Sequence, residues 1–396
     1  MKKLPIYLNI LQIEEYELNR FLAWVKSHPN AEKLSGKKPL IWTTKIKILY
    51  WGSMIIWPIS LIWPELSITV FTYLLNPIEQ IVLLILKHKT RGKINRLKSQ
   101  GMKVIGISGS FGKTSMKEIL YVLLSQKFRT YRSPASFNTV KGIAKAVNLE
   151  LEDGCQIFIC EMGEYKKGDV KEICELVDPD MGIVTGVNEQ HGERIGNVEN
   201  ALATVYELAD YVVKKNGFIF VNGRSMTKPG FEIYGIGIYK TPLEQNMEGA
   251  EMLALKLGLT RAELKSRKLL VRPFKHRLQL KKHGNINIID DTYNSNPDGF
   301  AAAIKYLGSF EKPRIMITPG IIELGKESLR IHQELGKKMI GEVDLLILVG
   351  TNERTVNLAR RYKGKKMFIE KISEWQKVVN STKGTILFEN DLPDNY

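Results

Sequence analysis

The sequence is poor in cysteine: it contains three, Cys155, Cys160 and Cys174, in 396 residues. Three thiols are too few for the disulfide framework of a small secreted scaffold. Cys155 and Cys160 lie around an apolar run that is typical of a strand, which favours small buried side chains over metal ligands. The cysteine content therefore indicates a protein of a reducing compartment.

The sequence also lacks any basic run interleaved with aromatic residues, the pattern that single-strand nucleic-acid binders use. Lys and Arg nevertheless outnumber Asp and Glu by 58 to 42. Such an excess is typical of attraction to anionic lipid or to phosphate-rich ligands. We therefore expect no nucleic-acid partner, and we expect a monomer. No internal repeat is visible, and the length predicts two or three domains.

A cleavable signal peptide is absent too, because the first apolar segment starts too late and has no small-residue cleavage site. The segment itself is uncharged for 17 residues, from Ile48 to Pro64, and after Glu65 it stays apolar to about residue 86. One bilayer span needs about 20 apolar residues, so each half is near the limit. Three prolines interrupt the two halves: Pro58, Pro64 and Pro77.

Tryptophan and lysine placement favours a membrane for this segment. Trp51, Trp57 and Trp63 suit a headgroup interface, and basic residues flank the segment on both sides. Positive charge on both sides predicts a hairpin or re-entrant pair whose ends are both cytoplasmic. The alternative is a helical domain with a very apolar core. We expect an N-terminal helical region over 1–95, with membrane segments at about 48–86, at the cytoplasmic face of the cell membrane.

From residue 101 onward, short apolar runs alternate with helical stretches. "KVIGIS", "QIFICEM", "MGIVTGV" and "GFIFVN" are followed, after residue 275, by "INIIDD", "RIMITPG", "DLLILVG" and "TILFEN". This alternation predicts parallel sheets covered by helices on both faces, which is an α/β fold. The rhythm breaks at Val271–Lys275, so we predict one domain over 101–271 and a smaller one over 272–396.

The stretch "GISGSFGKTS" follows the first of these strands and is typical of a phosphate-binding loop. Its glycines allow backbone N–H groups to approach phosphate oxygens at a helix N-terminus. Lys113 would contact the outer phosphates and Thr114 a magnesium ion. The strict spacing G-x-x-x-x-G-K-[ST] is not met, because Ile107 stands five positions before Gly112. The alternative is a generic glycine-rich turn.

Polar residues follow two further strands of the first domain. Glu161 is placed at the carboxyl end of "QIFICEM", the edge where ligands bind in open parallel sheets, and a carboxylate there is a natural magnesium ligand. His191, in "TGVNEQHGE", is predicted at the same edge. A lone histidine is often structural, but its position near a phosphate loop and an acidic strand end supports a functional role as well.

A third polar group lies in the second domain, in "IIDDTYNSNPD". The functional interpretation is that Asp290 or Asp291 reaches a ribose hydroxyl, and the alternative is a strand-to-helix loop in which Asn296 is the helix cap. Arg277, just past the domain boundary, could reach a phosphate from this side.

The motifs together resemble one known family. "GISGSFGKTSMKE", "SFNTVKG", "CEMGEYKKGD", "HGERIGNVEN", "HRLQ", "DDTYNSNPD" and "IIELG" occur in the order seen in Mur ligases, from about residue 101 to the C-terminus. The resemblance implies a central P-loop ATPase domain with a parallel sheet, followed by a smaller Rossmann-like α/β domain. An apolar helical hairpin would precede both.

The resemblance also implies a reaction. A substrate carboxylate attacks the γ-phosphate of ATP to give an acyl phosphate, and an amine then attacks that carbonyl to leave an amide. The product would belong to cell-wall peptidoglycan precursor synthesis, with an amino acid or a dipeptide such as D-Ala-D-Ala as the incoming amine. ATP and Mg²⁺ are the implied cofactors. Related ligation on another acceptor, as in folate polyglutamylation, and a non-catalytic nucleotide-binding membrane scaffold are the alternatives.

The site residues carried over from the family motifs form four groups. The catalytic group is Lys113, Glu161 and His191, and the metal ligands are Thr114, Glu161 and His191. ATP would be bound by Gly109, Ser110, Gly112, Lys113, Thr114 and Ser115 of the loop, and by Arg277, Asp291, Asn294 and Asn296 of the second domain. Substrate or phosphate would lie near Asn138 and Thr139.

Three departures from the family pattern are visible. The apolar segment occupies the length that usually binds the uridine diphosphate of the precursor. Val205 stands where many members carry a lysine that is modified to a carbamate. Of the usual His-Asn pair before the last helix of the central domain, "TPLEQN" keeps Asn246 alone.

Overall fold

The computed structural model describes residues 3–14, 16–28, 39–134, 137–164, 166–186, 198–223, 231–239, 241–272, 274–293, 296–322, 324–379 and 383–390. Internal contacts separate a unit within the first 85 residues from a second unit that begins at Leu86. Each unit has its own hydrophobic core, and the second contains two β-sheets.

The first unit is helical. Its elements are α1 (Lys3–Ile13), α2 (Leu18–Ser27), α3 (Thr44–Ile55), α4 (Trp57–Ile62) and the first part of α5 (Pro64–Ser99). The side chain of Thr43 caps α3 by accepting a hydrogen bond from the backbone N–H of Ile46 at 3.3 Å. Residues of α1, α2, α3 and α5, among them Leu8, Phe21, Leu49 and Ile68, form the core.

Helices α3 and α5 pair as an antiparallel hairpin within this unit. Lys45 Nζ lies 2.8 Å from Glu79 Oε2, and Gly52 faces Phe71 so closely that a Cβ at residue 52 would lie 2.7 Å from the Phe71 ring. The contact nearer to the short helix α4 joins residues that are closer in the sequence, as expected for two antiparallel helices that α4 connects. Among the described helices, α5 alone is long and apolar enough to cross a membrane.

The first sheet of the second unit has six parallel strands in the order β2-β3-β1-β4-β5-β6. They are β1 (Lys103–Ser108), β2 (Thr130–Arg132), β3 (Ile157–Glu161), β4 (Met181–Val184), β5 (Phe218–Asn222) and β6 (Glu232–Tyr234). The helices that alternate with them are α6 (Lys113–Leu124), α7 (Val140–Glu150), α8 (Asp169–Val177), α9 (Val198–Lys214), α10 (Pro242–Lys256) and α11 (Arg261–Lys268). Strand β1 lies where the strand order reverses, which is where ligands bind in such sheets.

The second sheet has the order β11-β10-β9-β12-β8-β7. Its strands are β7 (Gln279–His283), β8 (Ile286–Asp291), β9 (Arg314–Thr318), β10 (Leu345–Val349), β11 (Lys365–Ile369) and β12 (Gly384–Glu389). Its helices are α12 (Pro297–Gly308), α13 (Ser328–Lys338), α14 (Glu353–Arg361) and α15 (Trp375–Val378), with 3-10 turns at Gly325–Glu327 and Ile372–Glu374.

The predicted α/β class is confirmed: one parallel sheet is followed by a second sheet, and an apolar helical hairpin precedes both. One strand differs from the expectation of parallel sheets. Strand β7 is antiparallel to β8, with which it forms a hairpin at the edge of the second sheet. All three cysteines are free thiols, and burial raises the pKa of Cys160 and of Cys174.

A buried histidine in α13 predicts a pH dependence of stability. His332 is fully buried, accepts a hydrogen bond at Nε2 from the Ile321 backbone N–H (3.0 Å) and donates one from Nδ1 to the Ser328 carbonyl (2.7 Å). Burial lowers its pKa to about 4. The unfolded chain therefore takes up a proton near pH 6.5 and the folded one only near pH 4, so stability is full above pH 6.5 and falls as the pH drops through this window.

We expect His332→Gln to remove about 3 kcal/mol of this pH-dependent stability between pH 6.5 and 4. Hydrogen exchange of the amides in α13 and β9, followed across the window, measures it. His283→Gln, at an exposed histidine of β7, is the control and should keep the slope of unfolding free energy against pH that the unmodified protein shows. An unchanged slope in His332→Gln would contradict the assignment.

Candidate active site

The carboxyl ends of β1 and β3 form the edge at which the predicted phosphate loop lies. The two strands are parallel neighbours, and the register places Ile107 of β1 opposite Glu161, the last residue of β3. The loop 109–112 follows β1 directly and α6 begins at Lys113. Loop, helix N-terminus and Glu161 therefore lie together at the point where the strand order reverses.

Tight packing against the residues after β4 fixes the shape of the loop. Gly109 has φ +135° and Gly112 φ +84°, and a Cβ at Gly109 would lie 2.1 Å from Thr185 Oγ1. The backbone N–H groups of Ser110 and Phe111 donate to the Gly186 carbonyl at 2.9 and 3.2 Å. Only glycine fits at 109, because both the backbone angle and the neighbouring hydroxyl exclude a side chain.

Lys113 is the first residue of α6 and is held by protein acceptors. Its Nζ donates to both carboxylate oxygens of Glu164, at 2.7 and 2.8 Å, and to the Gly109 carbonyl. The exposed fraction is 12% for the Lys113 side chain and 1% for the Glu164 side chain. The lysine that was predicted to meet phosphate therefore belongs to a buried ion pair.

Glu161 is held by three residues, two from α6 and one that follows β2. Its Oε1 accepts a hydrogen bond from Thr114 Oγ1 at 3.1 Å, and its backbone N–H donates to Ser133 Oγ at 3.1 Å. Lys117 Nζ lies 2.8 Å from Oε2, as an ion pair without hydrogen-bond alignment, and both side chains are almost completely buried. A hydroxyl and a carboxylate oxygen so close together are the hard oxygen donors that Mg²⁺ prefers.

The remaining central-domain candidates have varied surroundings. Ser110 and Ser115 are buried, and within the described part of the chain Ser110 Oγ has no hydrogen-bond partner. The Asn138 carbonyl accepts from the Gly163 N–H at 2.7 Å, in the loop that follows Glu161. Thr139 is exposed, and its side chain caps α7. An unfilled hydrogen-bonding group at Ser110 suits a ligand oxygen better than a closed core.

The second-domain candidates form a separate cluster around the end of β8. The Arg277 guanidinium stacks over the Tyr293 ring at 4.3 Å from its centroid. Asp291 Oδ1 accepts a hydrogen bond from the Leu278 N–H at 3.0 Å. Burial raises the pKa of this carboxyl, although a hydrogen bond with Glu389, its neighbour on β12, acts in the opposite direction. Among the described residues, no hydrogen bond or ion pair joins Arg277 or Asp291 to Lys113 or Glu161.

Asp290 and Asn296 have local partners. Burial opposes ionisation of Asp290, but hydrogen bonds from Lys281 (2.6 Å), Thr292 (2.8 Å) and His276 (3.0 Å) hold its pKa below the usual value. The Asn296 side chain caps α12 by accepting from the N–H groups of Asp298 and Gly299. The capping alternative for Asn296 is therefore present in the structure.

Two predicted site residues, His191 and Asn294, lie outside the described residues. Val205 is buried in α9 and its carbonyl accepts a hydrogen bond from Ser108 Oγ at 2.9 Å, directly under the loop. Asn246 is close to the loop as well, since a Cβ at Gly112 would lie 3.1 Å from Asn246 Nδ2.

Sequence reasoning missed two charged residues at this edge, Lys117 and Glu164. Lys117 lies one helical turn after Lys113, and lysines at that spacing are usually solvated. Glu164 is part of the quoted "CEMGEYKKGD", but the sequence gives no signal of its pairing partner. Within the described residues, no group of three His, Cys, Asp or Glu side chains is close enough together to hold a metal ion.

Comparison with protein families gives two matches along the chain. The model for the Mur ligase middle domain matches residues 107–243, and the model for the Mur ligase glutamate ligase domain matches residues 276–391. Together the two models cover more than half of the chain.

Curated relatives agree with these matches. The chain is 23% identical over 278 residues to the UDP-N-acetylmuramoyl-tripeptide–D-alanyl-D-alanine ligase of Bacillus subtilis, over 61% of each chain. It is 24% identical over 307 residues to the enzyme of that name from Mycobacterium tuberculosis, over 65% of this chain and 60% of the relative. The chain thus spans about three fifths of the length of these relatives.

Solved structures share the fold. MurF from Acinetobacter baumannii superposes with a TM-score of 0.68 at 20% identity, over 78% of this chain and 77% of that one. MurF ligase from Thermotoga maritima, determined in complex with ADP, gives 0.68 at 21% identity, over 78% and 80%. FolC of E. coli, in complex with DHPP and ADP, gives 0.54 at 13% identity, over 76% and 88%.

Proposed function

The chain belongs to the Mur ligase family, and we therefore propose that it is an ATP-dependent ligase that joins a substrate carboxylate to an amine. The observation that carries the proposal is the grouping of Lys113, Thr114 and Glu161 at the carboxyl ends of β1 and β3. A phosphate-binding lysine beside a hydroxyl–carboxylate pair is the equipment that nucleotide phosphoryl transfer requires.

The proposed chemistry follows from the poor reactivity of a carboxylate, which has no leaving group at neutral pH. Transfer of the ATP γ-phosphoryl group to it gives an acyl phosphate and ADP, and the amine then displaces phosphate to leave an amide. Lys113 offsets negative charge on the outer phosphates during transfer. Thr114 and Glu161, with His191, would hold Mg²⁺, which supplies further charge neutralisation when bound.

The other proposed contacts divide between two domains, 101–271 and 272–396. Gly109, Ser110, Gly112 and Ser115 would surround the phosphates, and Asn138 and Thr139 the acceptor substrate. Arg277, Asp291, Asn294 and Asn296 would contact the nucleotide from the second domain. The two clusters share no hydrogen bond or ion pair among the described residues, and we propose that the two domains close over ATP so that both clusters contact it.

Cell-wall precursor synthesis is the proposed pathway, with D-Ala-D-Ala or an amino acid as the incoming amine. The relatives named UDP-N-acetylmuramoyl-tripeptide–D-alanyl-D-alanine ligase support this choice. The fold likeness to FolC keeps a folate-type acceptor as the second candidate. We further propose that the protein acts as a monomer.

The test is phosphate release by the purified protein with ATP, Mg²⁺ and a panel of acceptors and amines. Release that requires both a carboxylate acceptor and an amine supports the ligase, and the acceptor that works distinguishes muramoyl peptide from folate. ATP turnover that is indifferent to both substrates would contradict the proposal.

We also propose that the first unit attaches the protein to a bilayer without crossing it. The hairpin of α3, α4 and α5 leaves large apolar side chains exposed, including Trp51 (65%), Ile55 (78%), Trp57 (57%) and Trp63 (54%). Isolated exposed apolar residues are ordinary, but so many on one hairpin are typical of a membrane or partner surface.

Charge and length support a shallow insertion. The Lys45–Glu79 ion pair places two charged groups at one position along the hairpin. Between Pro64 and Glu79, α5 extends about 22 Å, less than the roughly 30 Å of a hydrocarbon core. Basic residues precede α3 and follow the apolar part of α5, so an anionic leaflet is the surface that fits.

Vesicle binding tests the attachment. We expect the combined replacement of Trp51, Trp57 and Trp63 by serine to weaken binding to anionic vesicles by about 100-fold or more, since each Trp would bury 150–250 Å² at roughly 25 cal/mol per Å². Leu149→Ser, at a leucine that is 80% exposed in the second unit, should bind like the unmodified protein. Equal binding of the triple variant, or no vesicle binding by the unmodified protein, would contradict the proposal.

A further inference from the structure

The ammonium group of Lys113 has no hydrogen to spare for a phosphate. An ammonium group donates three hydrogen bonds. Lys113 Nζ directs them at the two carboxylate oxygens of Glu164, at 2.7 and 2.8 Å, and at the Gly109 carbonyl. Contact with a nucleotide phosphate therefore requires that at least one of these bonds is given up.

The ion pair between Lys113 and Glu164 is costly to break because it is buried. The side chains of Glu164 and Lys113 are 1% and 12% exposed, whereas the surface pair Lys87–Glu172 of the same unit has 19% and 42%. Water screens an exposed pair and can replace a lost partner, but it has little access to a buried one. The carboxylate thus competes directly with any anion that approaches Lys113.

The neighbouring ammonium group, that of Lys117, cannot replace Lys113 as the contact for a phosphate. Lys117 is fully buried and lies 2.8 Å from Glu161, which is itself a buried carboxylate. Two lysines therefore neutralise two glutamates before any phosphate arrives. The charges of these two lysines and two glutamates already balance. A nucleotide would add several negative charges, so a further cation is required to offset them.

We propose that Glu164 makes nucleotide binding at this loop dependent on a divalent cation. Glu164 and the outer phosphates compete for Lys113, and a cation that arrives on the nucleotide compensates the added charge, whereas a metal-free nucleotide has to displace the carboxylate. The inference rests on the proposed function only in assigning the loop to a nucleotide.

The test is the affinity of the full-length protein for a non-hydrolysable ATP analogue, measured by calorimetry with Mg²⁺ and with EDTA. We expect the unmodified protein to bind the metal-free analogue at least about 100-fold more weakly than the Mg²⁺ complex. Glu164→Gln should strengthen metal-free binding by about tenfold or more and change the affinity for the Mg²⁺ complex much less, because it removes the competing charge.

Two further variants make the result specific. Glu164→Ala removes the carboxylate without putting an amide in its place. It should behave like Glu164→Gln, so the test does not depend on the folding of one variant. Glu172→Gln removes the surface partner of Lys87 and should leave both affinities unchanged.

The outcomes separate this inference from the proposed function. Strong binding of the Mg²⁺ complex, with metal-free affinity unchanged or weaker in both Glu164 variants, overturns the role of Glu164 alone. Equal affinity of the unmodified protein with and without Mg²⁺ also overturns it. Failure of the unmodified protein to bind the analogue under either condition overturns the proposed function and this inference together.

Discussion

Lys113→Ala should lower kcat/KM for substrate-dependent phosphate release by about 1,000-fold or more. One preorganised donor at a developing anionic charge is worth about 100- to 1,000-fold, and Lys113 carries a full charge where the outer phosphates are proposed to lie. Phosphate release at saturating Mg²⁺ measures the effect. Lys171→Ala, at an exposed lysine at the start of α8, should retain full activity.

The same replacement also removes the ammonium from a buried carboxylate, which costs about 3–5 kcal/mol of unfolding free energy. The double variant Lys113→Ala/Glu164→Gln separates the two effects. Its stability should return most of the way to that of the unmodified protein, while its activity stays lost. Activity within tenfold of the unmodified protein in either variant would contradict the assignment of Lys113 to the outer phosphates.

Glu161→Gln should combine a loss of activity of about 100-fold or more with a loss of stability of about 3–5 kcal/mol. The activity loss follows from the removal of a proposed metal ligand. The stability loss follows from Lys117, whose side chain is completely buried 2.8 Å from the carboxylate. Replacing one partner leaves the other charged group in the interior without its counter-charge.

A double-mutant cycle with Lys117→Met tests this interpretation. The pair Glu161→Gln/Lys117→Met should regain most of the stability, because both buried charges are gone, and should remain inactive. Denaturant unfolding gives the coupling energy, and Glu152→Gln, at an exposed glutamate before β3, is the control. Additive single effects would show that the ion pair does not stabilise the fold, and an active double variant would remove Glu161 from the site.

The proximity of the loop before Lys113 to Glu161 could be predicted because strand ends are visible in the sequence. The apolar run that ends at Glu161 and the one that ends at Ser108 are continuous hydrophobic segments, as buried parallel strands are. Parallel neighbours present their carboxyl ends at one edge, so the loop before Lys113 and Glu161 were expected together. The structure pairs these strands, with Ile107 opposite Glu161.

The ion pairs of the site could not be predicted, because they depend on distances between residues that are far apart in the chain. Lys113 and Glu164 are separated by 51 positions, and nothing in the local pattern distinguishes Glu164 from a solvated glutamate of a loop. Lys117 has the same ambiguity on α6. Strand β7, "QLKKH", was missed for another reason: it is an exposed edge strand without apolar alternation.

The sequence of the N-terminal unit predicted an apolar hairpin, but it did not indicate which helices pack against that hairpin. Leu8, Leu11 and Phe21 of α1 and α2 share one hydrophobic core with residues of α3 and α5, so part of the apolar segment is an ordinary protein core. Trp51 of α3 and Trp63, which follows α4, stay exposed. Both interpretations of the segment, membrane hairpin and apolar helical core, therefore describe a part of it, and vesicle binding decides the role of the exposed part.

The most direct test of the proposed ligase follows the oxygen atoms of the acceptor carboxylate. An acceptor labelled with ¹⁸O in that carboxylate is incubated with ATP, Mg²⁺ and the amine, and the released phosphate is analysed by mass spectrometry. An acyl phosphate transfers one carboxylate oxygen to phosphorus, so we predict one ¹⁸O in each phosphate released. Amide formation with unlabelled phosphate, or with the label in AMP, would contradict activation of the carboxylate by γ-phosphoryl transfer.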